Sequence, residues 1–271
     1  MTRRSTTAGL ALVGTMMAAG APATSATLEE IREAGTITIG VKADYRPYGF
    51  RDPSGNIVGI EPDLARMLAE RIGVELELVP VVAANRIEFL QQGRVDALIA
   101  TMSDQPARRE SVQAIEPLYY SDSVNVLAND QANITSWEDL EGLPVCATTG
   151  SWYNRDVAEQ YGAEIVAFDG SDRPLLALQQ GQCVGYLYDQ SYIQGRLLDP
   201  EWSESFSMPL EGIMETPWMM AVANGNDSLA EEMSAATQEW MAEGTIVQLE
   251  EEYGMQPSAY SQRMYEEYAA E

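Results

Sequence analysis

The sequence predicts an α/β protein built from two lobes. Two observations carry this prediction: an alternation of strands and helices that occurs twice along the chain, and two extended apolar stretches that separate the repeats. A chain of 271 residues with 45% apolar content is long enough for two packed cores. Strands that alternate with helices of about ten residues are typical of parallel sheets covered by helices on both faces.

The first repeat lies between residues 37 and 100. The spacing of apolar residues predicts strand 37–41, helix 63–72, strand 74–79, a helix around 87–93 and a nearly continuous apolar strand 95–100. Asp63 is a candidate N-terminal cap for the first helix, and Gly73 suits the left-handed position that ends it.

The second repeat has the same rhythm without the same sequence. It predicts strand 145–149, a helix from about 153, strand 165–168, helix 172–180 and strand 184–188. Extended apolar stretches at 123–128 and 219–223 suggest that the chain leaves lobe 1 once and returns once. We therefore predict lobe 1 over 27–123 and 222–271, with helices 228–243 and 245–253 packed on it, and lobe 2 over 124–221.

Residues 1–26 resemble a secretory signal peptide. Arg3 and Arg4 supply the positive region, residues 8–21 are apolar, and a small-residue site favours cleavage near Ala26. The apolar run is shorter than the ~20 residues that a membrane-spanning helix needs. No cysteine for a lipid anchor lies near the cleavage site, so we expect a free periplasmic protein. The arginine pair also fits a twin-arginine signal, although a general secretory signal is favoured.

The composition excludes several classes of function. The formal charge of −26, from 42 acidic and 16 basic residues, repels nucleic acids and anionic membranes. The absence of histidine excludes Ser-His and Cys-His nucleophiles and histidine-containing metal sites. Cys146 and Cys183 could form a disulfide in an exported protein, or they could be two small buried apolar residues.

Five short motifs carry a resemblance to a known family. They are Gly40-Val41-Lys42-Ala43-Asp44-Tyr45-Arg46-Pro47-Tyr48, Gly59-Ile60-Glu61-Pro62-Asp63-Leu64-Ala65, Asn85-Arg86-Ile87, Gly93-Arg94-Val95-Asp96 and Pro117-Leu118-Tyr119-Tyr120. In this order they resemble the periplasmic polar-amino-acid-binding proteins of ABC importers, family 3 of the bacterial extracellular solute-binding proteins. The likeness runs from about Gly35 to about Tyr253. It implies the periplasmic-binding-protein fold: two α/β lobes, each a central sheet flanked by helices, joined by two hinge strands, with the ligand in the cleft.

The resemblance also implies a site for the ligand's carboxylate. The family has a segment rich in Thr and Ser that ends in Arg, and here it corresponds to Thr101, Ser103 and Arg108. A guanidinium offers a planar pair of donors to a carboxylate, and hydroxyl groups complete the shell. Gln105 departs from the family, which usually has a hydroxyl residue there. Arg109 is the weaker candidate, and the alternative for Arg108 is an ordinary surface arginine.

Asp189 corresponds to the family's acidic residue at the end of the last strand of lobe 2, and it is the implied partner of the ligand's ammonium group. The alternative is an aspartate that only caps the following helix. A zwitterion held by Arg108 in one lobe and Asp189 in the other would bind best when the lobes close.

Three further residues complete the implied site. Ser151 fits the family's turn that faces the carboxylate, whereas Trp152 replaces a small polar residue and would narrow the pocket or stack on the ligand. Tyr45 resembles the family's aromatic wall. For both aromatic residues the alternative is ordinary packing, and Arg86 could pair with a carboxylate in lobe 1. The family also places the strands of Cys146 and Cys183 near one another, which favours the disulfide.

The expected function is capture of an amino acid or similar zwitterion for the permease and ATPase subunits of an ABC importer, by a monomer. We predict no catalytic residue, metal or cofactor. One alternative is an enzyme on the same fold, similar to cyclohexadienyl dehydratase, that acts on a small carboxylate. Another is the sensor module of a membrane receptor or envelope enzyme. The chain ends soon after Tyr253 without a further domain or membrane helix, which favours the free receptor.

Overall fold

The computed structural model describes residues 26–270, so the predicted signal peptide lies outside the described residues except for Ala26. The strands are β1 (Thr36–Val41), β2 (Asp44–Tyr45), β3 (Gly49–Arg51), β4 (Ile57–Val58), β5 (Glu75–Pro80), β6 (Ala97–Ser103), β7 (Gln113–Ala114), β8 (Tyr120–Asn129), β9 (Pro144–Thr148), β10 (Glu164–Phe168), β11 (Gly185–Asp189), β12 (Phe206–Ser207) and β13 (Ile213–Val222). The helices are α1 (Leu28–Ala34), α2 (Ile60–Ile72), α3 (Arg86–Gln91), α4 (Pro106–Arg109), α5 (Tyr153–Tyr161), α6 (Asp172–Gln179), α7 (Gln190–Leu197), α8 (Pro200–Ser203), α9 (Asp227–Ala242), α10 (Thr245–Glu252) and α11 (Ala259–Tyr268). Within 26–270, no helix has the length and apolar character needed to cross a membrane.

The main strands form one hydrogen-bonded sheet in the order β10-β9-β11-β8-β13-β6-β1-β5. Strand β1 is parallel to β5 and β6 at one end, and β9 is parallel to β10 and β11 at the other. The long strands β8 and β13 lie in the middle, antiparallel to each other and to their outer neighbours. They connect the two parallel groups, and we call β8 and β13 the hinge strands. This arrangement confirms the predicted two-lobed α/β fold.

The helices cover the sheet because their apolar faces need a partner. In lobe 1, α2 packs on β1, β5 and β6, and α10 and α11 pack on α9. In lobe 2, α6 packs on β9, β10 and β11. One cluster of buried apolar side chains extends through both lobes. The periodicity therefore predicted the central strands and helices of both repeats.

The start of α2 differs from the prediction. The helix begins at Ile60 after Gly59, and Asp63 lies within its first turn, where the carboxylate accepts a 2.7 Å hydrogen bond from the Tyr253 hydroxyl. The prediction of Asp63 as the cap was wrong because Pro62, which the first turn of a helix tolerates, lies inside the helix. Gly73 adopts the left-handed conformation at the other end, as predicted.

The structure joins Cys146 of β9 to Cys183 in a disulfide, with both residues buried and their Cα atoms 5.6 Å apart. The bridge lies within lobe 2 and links β9 to the segment that leads into β11. Of the two interpretations of the cysteine pair, the disulfide is confirmed.

Candidate functional site

Strands β6 and β11 both end at the cleft between the lobes. Their residues are buried along the whole of each strand, and the last positions bring Thr101, Ser103 and Asp189 to one narrow cavity of about 10 Å3. The cavity is lined by Ala83, Arg86, Thr101, Ser103, Arg108, Ser151, Trp152, Tyr153, Tyr188 and Asp189. Of the predicted ligand-binding residues, only Tyr45 is not among them.

Arg108 lies on the short helix α4 and reaches towards lobe 2. Its Nη1 donates a 2.8 Å hydrogen bond to the Ser103 carbonyl, and its Nη2 donates a 3.2 Å hydrogen bond to the Gly150 carbonyl. Burial, followed by the positive charge of Arg86, lowers the pKa of Arg108 to about 9. The guanidinium is therefore held in the cleft without a carboxylate hydrogen-bonded to it, which suits it to an anionic guest.

The side chain of Arg109 points to the protein surface and not into the cavity. Its guanidinium is exposed and forms ion pairs with Asp104 and Glu116, at 2.5 Å and 2.6 Å. These two carboxylates raise the pKa of Arg109. The neighbouring arginines thus have different environments: Arg108 lines the cavity, whereas Arg109 is neutralised on the surface.

Asp189 immediately precedes α7, yet its side chain makes no capping hydrogen bond. Instead Oδ2 accepts a 2.9 Å hydrogen bond from the Tyr45 hydroxyl, and Oδ1 accepts a 3.0 Å hydrogen bond from the Tyr153 hydroxyl. Burial raises the pKa of Asp189, and the two tyrosine hydrogen bonds oppose that rise. The carboxylate is therefore oriented towards the cavity rather than towards the helix.

Tyr45 contacts two cavity residues, Asp189 through its hydroxyl and Tyr188 through its ring. Its ring is fully buried and packs edge-on or tilted against Tyr48, Tyr188, Tyr192 and Trp218, with centroids 4.9–6.0 Å apart. The sequence predicted an aromatic wall, and the structure has Tyr45 in an aromatic cluster beside the cavity. Because Tyr45 belongs to lobe 1 and Asp189 to lobe 2, their hydrogen bond joins the lobes.

The turn between β9 and α5 brings Ser151 and Trp152 to the cavity. Trp152 is half-buried, and its ring meets that of Tyr153 at 5.7 Å in an edge-on contact. Gly150 adopts φ +87°, and a Cβ there would lie 2.9 Å from backbone atoms of Ala83 and Ala84 in lobe 1. The absence of a side chain at Gly150 thus lets the lobes approach.

Four lining residues were not among the predicted ligand-binding residues: Ala83, Arg86, Tyr153 and Tyr188. Only Arg86 lies in one of the five motifs, and one chain does not indicate which motif residues face inward. Arg86 is 3% exposed and donates to the carbonyls of Ala100 and Thr101 instead of pairing directly with a carboxylate. It therefore adds a second positive charge to the cavity.

The buried side chain of Glu61 is hydrogen-bonded to the backbone near the end of β6. Its Oε1 accepts hydrogen bonds from the Thr101 N–H and the Tyr119 hydroxyl, and burial raises its pKa to about 7. Thr101 has φ +46°, a left-handed conformation that is unusual for a residue other than glycine. The hydrogen bond from its N–H to Glu61 helps to maintain this conformation.

The lobes are in contact across the cleft. Besides the Tyr45–Asp189 and Arg108–Gly150 hydrogen bonds, the Ser171 N–H and hydroxyl donate to Asp44, at 2.8 Å and 2.6 Å. Asp44 also pairs with the buried Lys42 at 2.7 Å. Among residues 26–270 there is no group of three or more His, Cys, Asp or Glu side chains that could hold a metal ion.

Comparison with known proteins agrees with this architecture. The chain is 28% identical to the glutamine-binding protein GlnH of an ABC transporter in Bacillus subtilis. The alignment extends over 224 residues and covers 80% of this chain and 81% of that protein. The cysteine-binding protein of Campylobacter jejuni superposes with a TM-score of 0.78 at 25% identity, covering 84% of this chain and 92% of the other. An ancestral amino-acid-binding protein, a precursor of cyclohexadienyl dehydratase, superposes with a TM-score of 0.73 at 26% identity. This superposition covers 84% of this chain and 99% of the other.

A family-wide comparison covers most of the chain. The sequence model described as "Bacterial extracellular solute-binding proteins, family 3" matches residues 37–256, which span both lobes and every residue that lines the cavity. The chain belongs to family 3 of the bacterial extracellular solute-binding proteins.

Proposed function

We propose that this chain is the periplasmic substrate-binding component of an ABC importer and that it closes around a small amino acid or a similar zwitterion. The single observation that supports this most strongly is a small interlobe cavity lined by Arg86 and Arg108 from lobe 1 and by Asp189 from lobe 2. With a volume of about 10 Å3, close to the space that one water molecule needs, the cavity is nearly filled by its own side chains, so the lobes must separate to admit a guest.

The carboxylate of the guest binds Arg108, with the hydroxyl groups of Thr101, Ser103 and Ser151 nearby. In the closed arrangement Arg108 already spans the cleft to the Gly150 carbonyl, so a bound carboxylate would take a position between the lobes. A bidentate pair with a guanidinium is among the stronger charged hydrogen bonds.

The ammonium group binds Asp189. A carboxylate has about four acceptor positions, and the hydroxyls of Tyr45 and Tyr153 occupy two of them. These hydrogen bonds fix the direction of the remaining lone pairs before the ligand arrives. Because binding needs groups from both lobes, the ligand binds the closed state more tightly and shifts the population towards it.

We further propose that lobe 1 consists of 27–123 and 222–271 and lobe 2 of 124–221, with the crossings in β8 and β13. The partners would be a permease and an ATPase, and the receptor would work as a monomer. Signal cleavage near Ala26 would release the mature protein into the periplasm. Relatives with the same coverage of the chain serve ABC transporters, which supports these assignments.

We also propose that the protein leaves its ligand chemically unchanged. The buried carboxyl of Asp189 is occupied by two tyrosine hydroxyls, which suits a fixed binding group better than a proton shuttle. Incubation with candidate amino acids followed by mass spectrometry would reveal turnover, and any product would overturn this part of the proposal.

The binding proposal is tested by a thermal-shift screen of the protein amino acids and of compatible solutes such as ectoine. A ligand present at 100 times its Kd stabilises the protein by about 2.7 kcal/mol. We expect Arg108→Ala to abolish the shift for every ligand and Arg109→Ala, the neighbouring surface variant, to retain it. Unaltered affinity in Arg108→Ala would contradict the site assignment.

A further inference from the structure

The N-terminus of α7 needs hydrogen-bond acceptors that Asp189 does not supply. The first N–H groups of any helix lack partners within the helix, and the side chain of the preceding residue commonly accepts from one of them. Asp189 occupies that position before α7, but its two carboxylate oxygens accept from Tyr45 and Tyr153 instead. Another group must therefore cap this helix.

Asp122 supplies the cap from the hinge strand β8. Its carboxylate oxygens accept from the Ser191 N–H at 3.2 and 3.3 Å, and Oδ2 also accepts from the Ser191 hydroxyl. Oδ1 accepts a further 2.8 Å hydrogen bond from the Ser123 N–H. The capping residue is thus distant in sequence, and it lies in one of the two strands that connect the lobes.

We propose that Asp122 is a positioning residue for the ammonium site: by capping α7 in place of Asp189, it leaves the Asp189 carboxylate free to face the cleft. This inference depends on the proposed function of Asp189. It links the hinge to the ligand, because a rotation of β8 that moves Asp122 would change the anchoring of the helix that begins next to Asp189.

The groups that surround Asp122 should make ligand binding depend on pH. Asp189, at the end of β11, is the acidic group facing it, and the hydroxyls of Tyr45, Tyr48 and Tyr120 also interact electrostatically with it. On the neighbouring strand β13, Thr216 lies opposite Asp122. The carboxylate of Glu215, also on β13, accepts from the Ser121 hydroxyl at 3.1 Å.

Burial, and then the negative charge of Asp189, raise the pKa of Asp122 to about 8. At pH 7 Asp122 is therefore mostly protonated and adds little negative charge to the site. Above pH 8 Asp122 ionises and adds a negative charge beside the site. Binding of a cation should consequently strengthen as the pH rises through this range.

The test compares Asp122→Asn, which retains a capping oxygen without the charge, with Asp122→Ala, which removes both. The probe is an equimolar mixture of the twenty protein amino acids, titrated in a thermal-shift assay at pH 7 and pH 9. At pH 7 we expect the midpoint concentration to rise about tenfold in Asp122→Ala, as the loss of a helix cap predicts, and to stay within about twofold of the wild type in Asp122→Asn.

The pH profile separates positioning from a general loss of stability. The ratio of the wild-type midpoint to that of Asp122→Asn should fall about threefold or more between pH 7 and pH 9, since only the wild type can ionise there. This ratio cancels the titration of the amino acids themselves. A constant ratio, or wild-type affinity in Asp122→Ala, overturns the inference. If the wild type itself shows no shift at any concentration, the proposed function fails first, and the inference fails with it.

Discussion

Gly150 is a residue at which backbone atoms of the two lobes lie close together. A Cβ at this position would meet backbone atoms of Ala83 and Ala84 at 2.9 Å, just before the start of α3. The Gly150 carbonyl also accepts the hydrogen bond from Arg108 that crosses the cleft. The closed arrangement therefore depends on one position that has no side chain.

We predict that Gly150→Ala weakens ligand binding by tenfold or more, which corresponds to about 1.4 kcal/mol, because the added methyl group prevents full closure. Gly142→Ala is the matched control: it also has a positive φ, of +70°, but nothing lies within 4 Å of its Cβ position. Isothermal titration of both variants measures the difference. Equal losses in the two variants would mean that backbone strain, and not closure, causes the effect.

Trp152 is the cavity residue that departs from the expected pattern. Its ring lines the cavity and contacts the Tyr153 ring, whose hydroxyl orients Asp189. We predict that Trp152→Ala enlarges the cavity and changes which amino acid gives the largest thermal shift, while Arg108 continues to bind the common carboxylate. An unchanged ranking of ligands across the screen would contradict a role in specificity.

At the scale of single elements, β6 joins the lobe 1 core to the site. Its last residues adopt a conformation that the buried Glu61 supports through the Thr101 N–H, and Glu61 lies in α2, which packs on the same strand. Burial makes the Glu61 carboxyl costly to ionise, and its hydrogen bonds together with the positive charges of Lys42 and Arg86 offset only part of that cost. The titration of Glu61 should therefore contribute to the pH dependence of the free energy of unfolding.

We predict that Glu61 makes the protein progressively less stable from about pH 4.5 to pH 7, relative to Glu61→Gln. The folded state holds the proton up to a pKa of about 7, whereas an unfolded glutamate releases it near 4.3, so rising pH favours unfolding within that window. Melting temperatures of the two proteins across pH 4–8 measure this, with the exposed Glu33→Gln as the control for lost charge. A constant difference between wild type and Glu61→Gln would contradict it.

The disulfide between Cys146 and Cys183 should stabilise lobe 2 against unfolding. Cys146 and Cys183 are 37 residues apart, and closing a loop of this length in the unfolded chain is expected to stabilise the fold by about 3–4 kcal/mol in the chain-entropy account. We predict a corresponding drop in the free energy of unfolding for the double variant Cys146→Ala/Cys183→Ala, measured by urea denaturation. A reducing agent should lower the stability of the wild type and leave that of the variant unchanged; sensitivity of the variant would contradict the assignment.

At the scale of the whole molecule, the net charge of −26 governs the response to salt. The basic residues are few, and several of them are engaged in surface ion pairs such as Arg71 with Glu232 and Glu239. Excess negative charge destabilises the compact state through self-repulsion. Salt reduces that repulsion because the screening length falls to about 3 Å at 1 M.

We predict that the melting temperature rises when sodium chloride increases from about 0.05 M to about 1 M, because screening relieves more repulsion than it removes attraction from the surface ion pairs. Potassium chloride should give the same rise, which identifies screening rather than a specific sodium site. Calorimetry at the two salt concentrations is the measurement, and a falling or constant melting temperature would contradict it.

Much of this architecture could be predicted from local sequence alone. Apolar alternation predicted β1, β9, β10 and β11 to within one or two residues, and Gly73 marked the end of α2. These features depend on backbone preferences and on which face of an element is buried, both of which leave a periodic trace. The small sheet β2-β3-β4 and helix α11 leave no such trace, because they are short or polar and their positions depend on packing against lobe 1.

The sequence by itself determined the order of the central strands and helices, the family motifs and the residue types of the candidate site. Only the tertiary structure decided which motif residues meet: that Arg86 lines the cavity, that the ring of Tyr45 does not, and that Asp122 takes over the cap that Asp189 leaves unfilled. The reason is physical. Side-chain direction at a cleft follows from how two lobes pack and share hydrogen bonds, and those contacts join residues far apart in the chain.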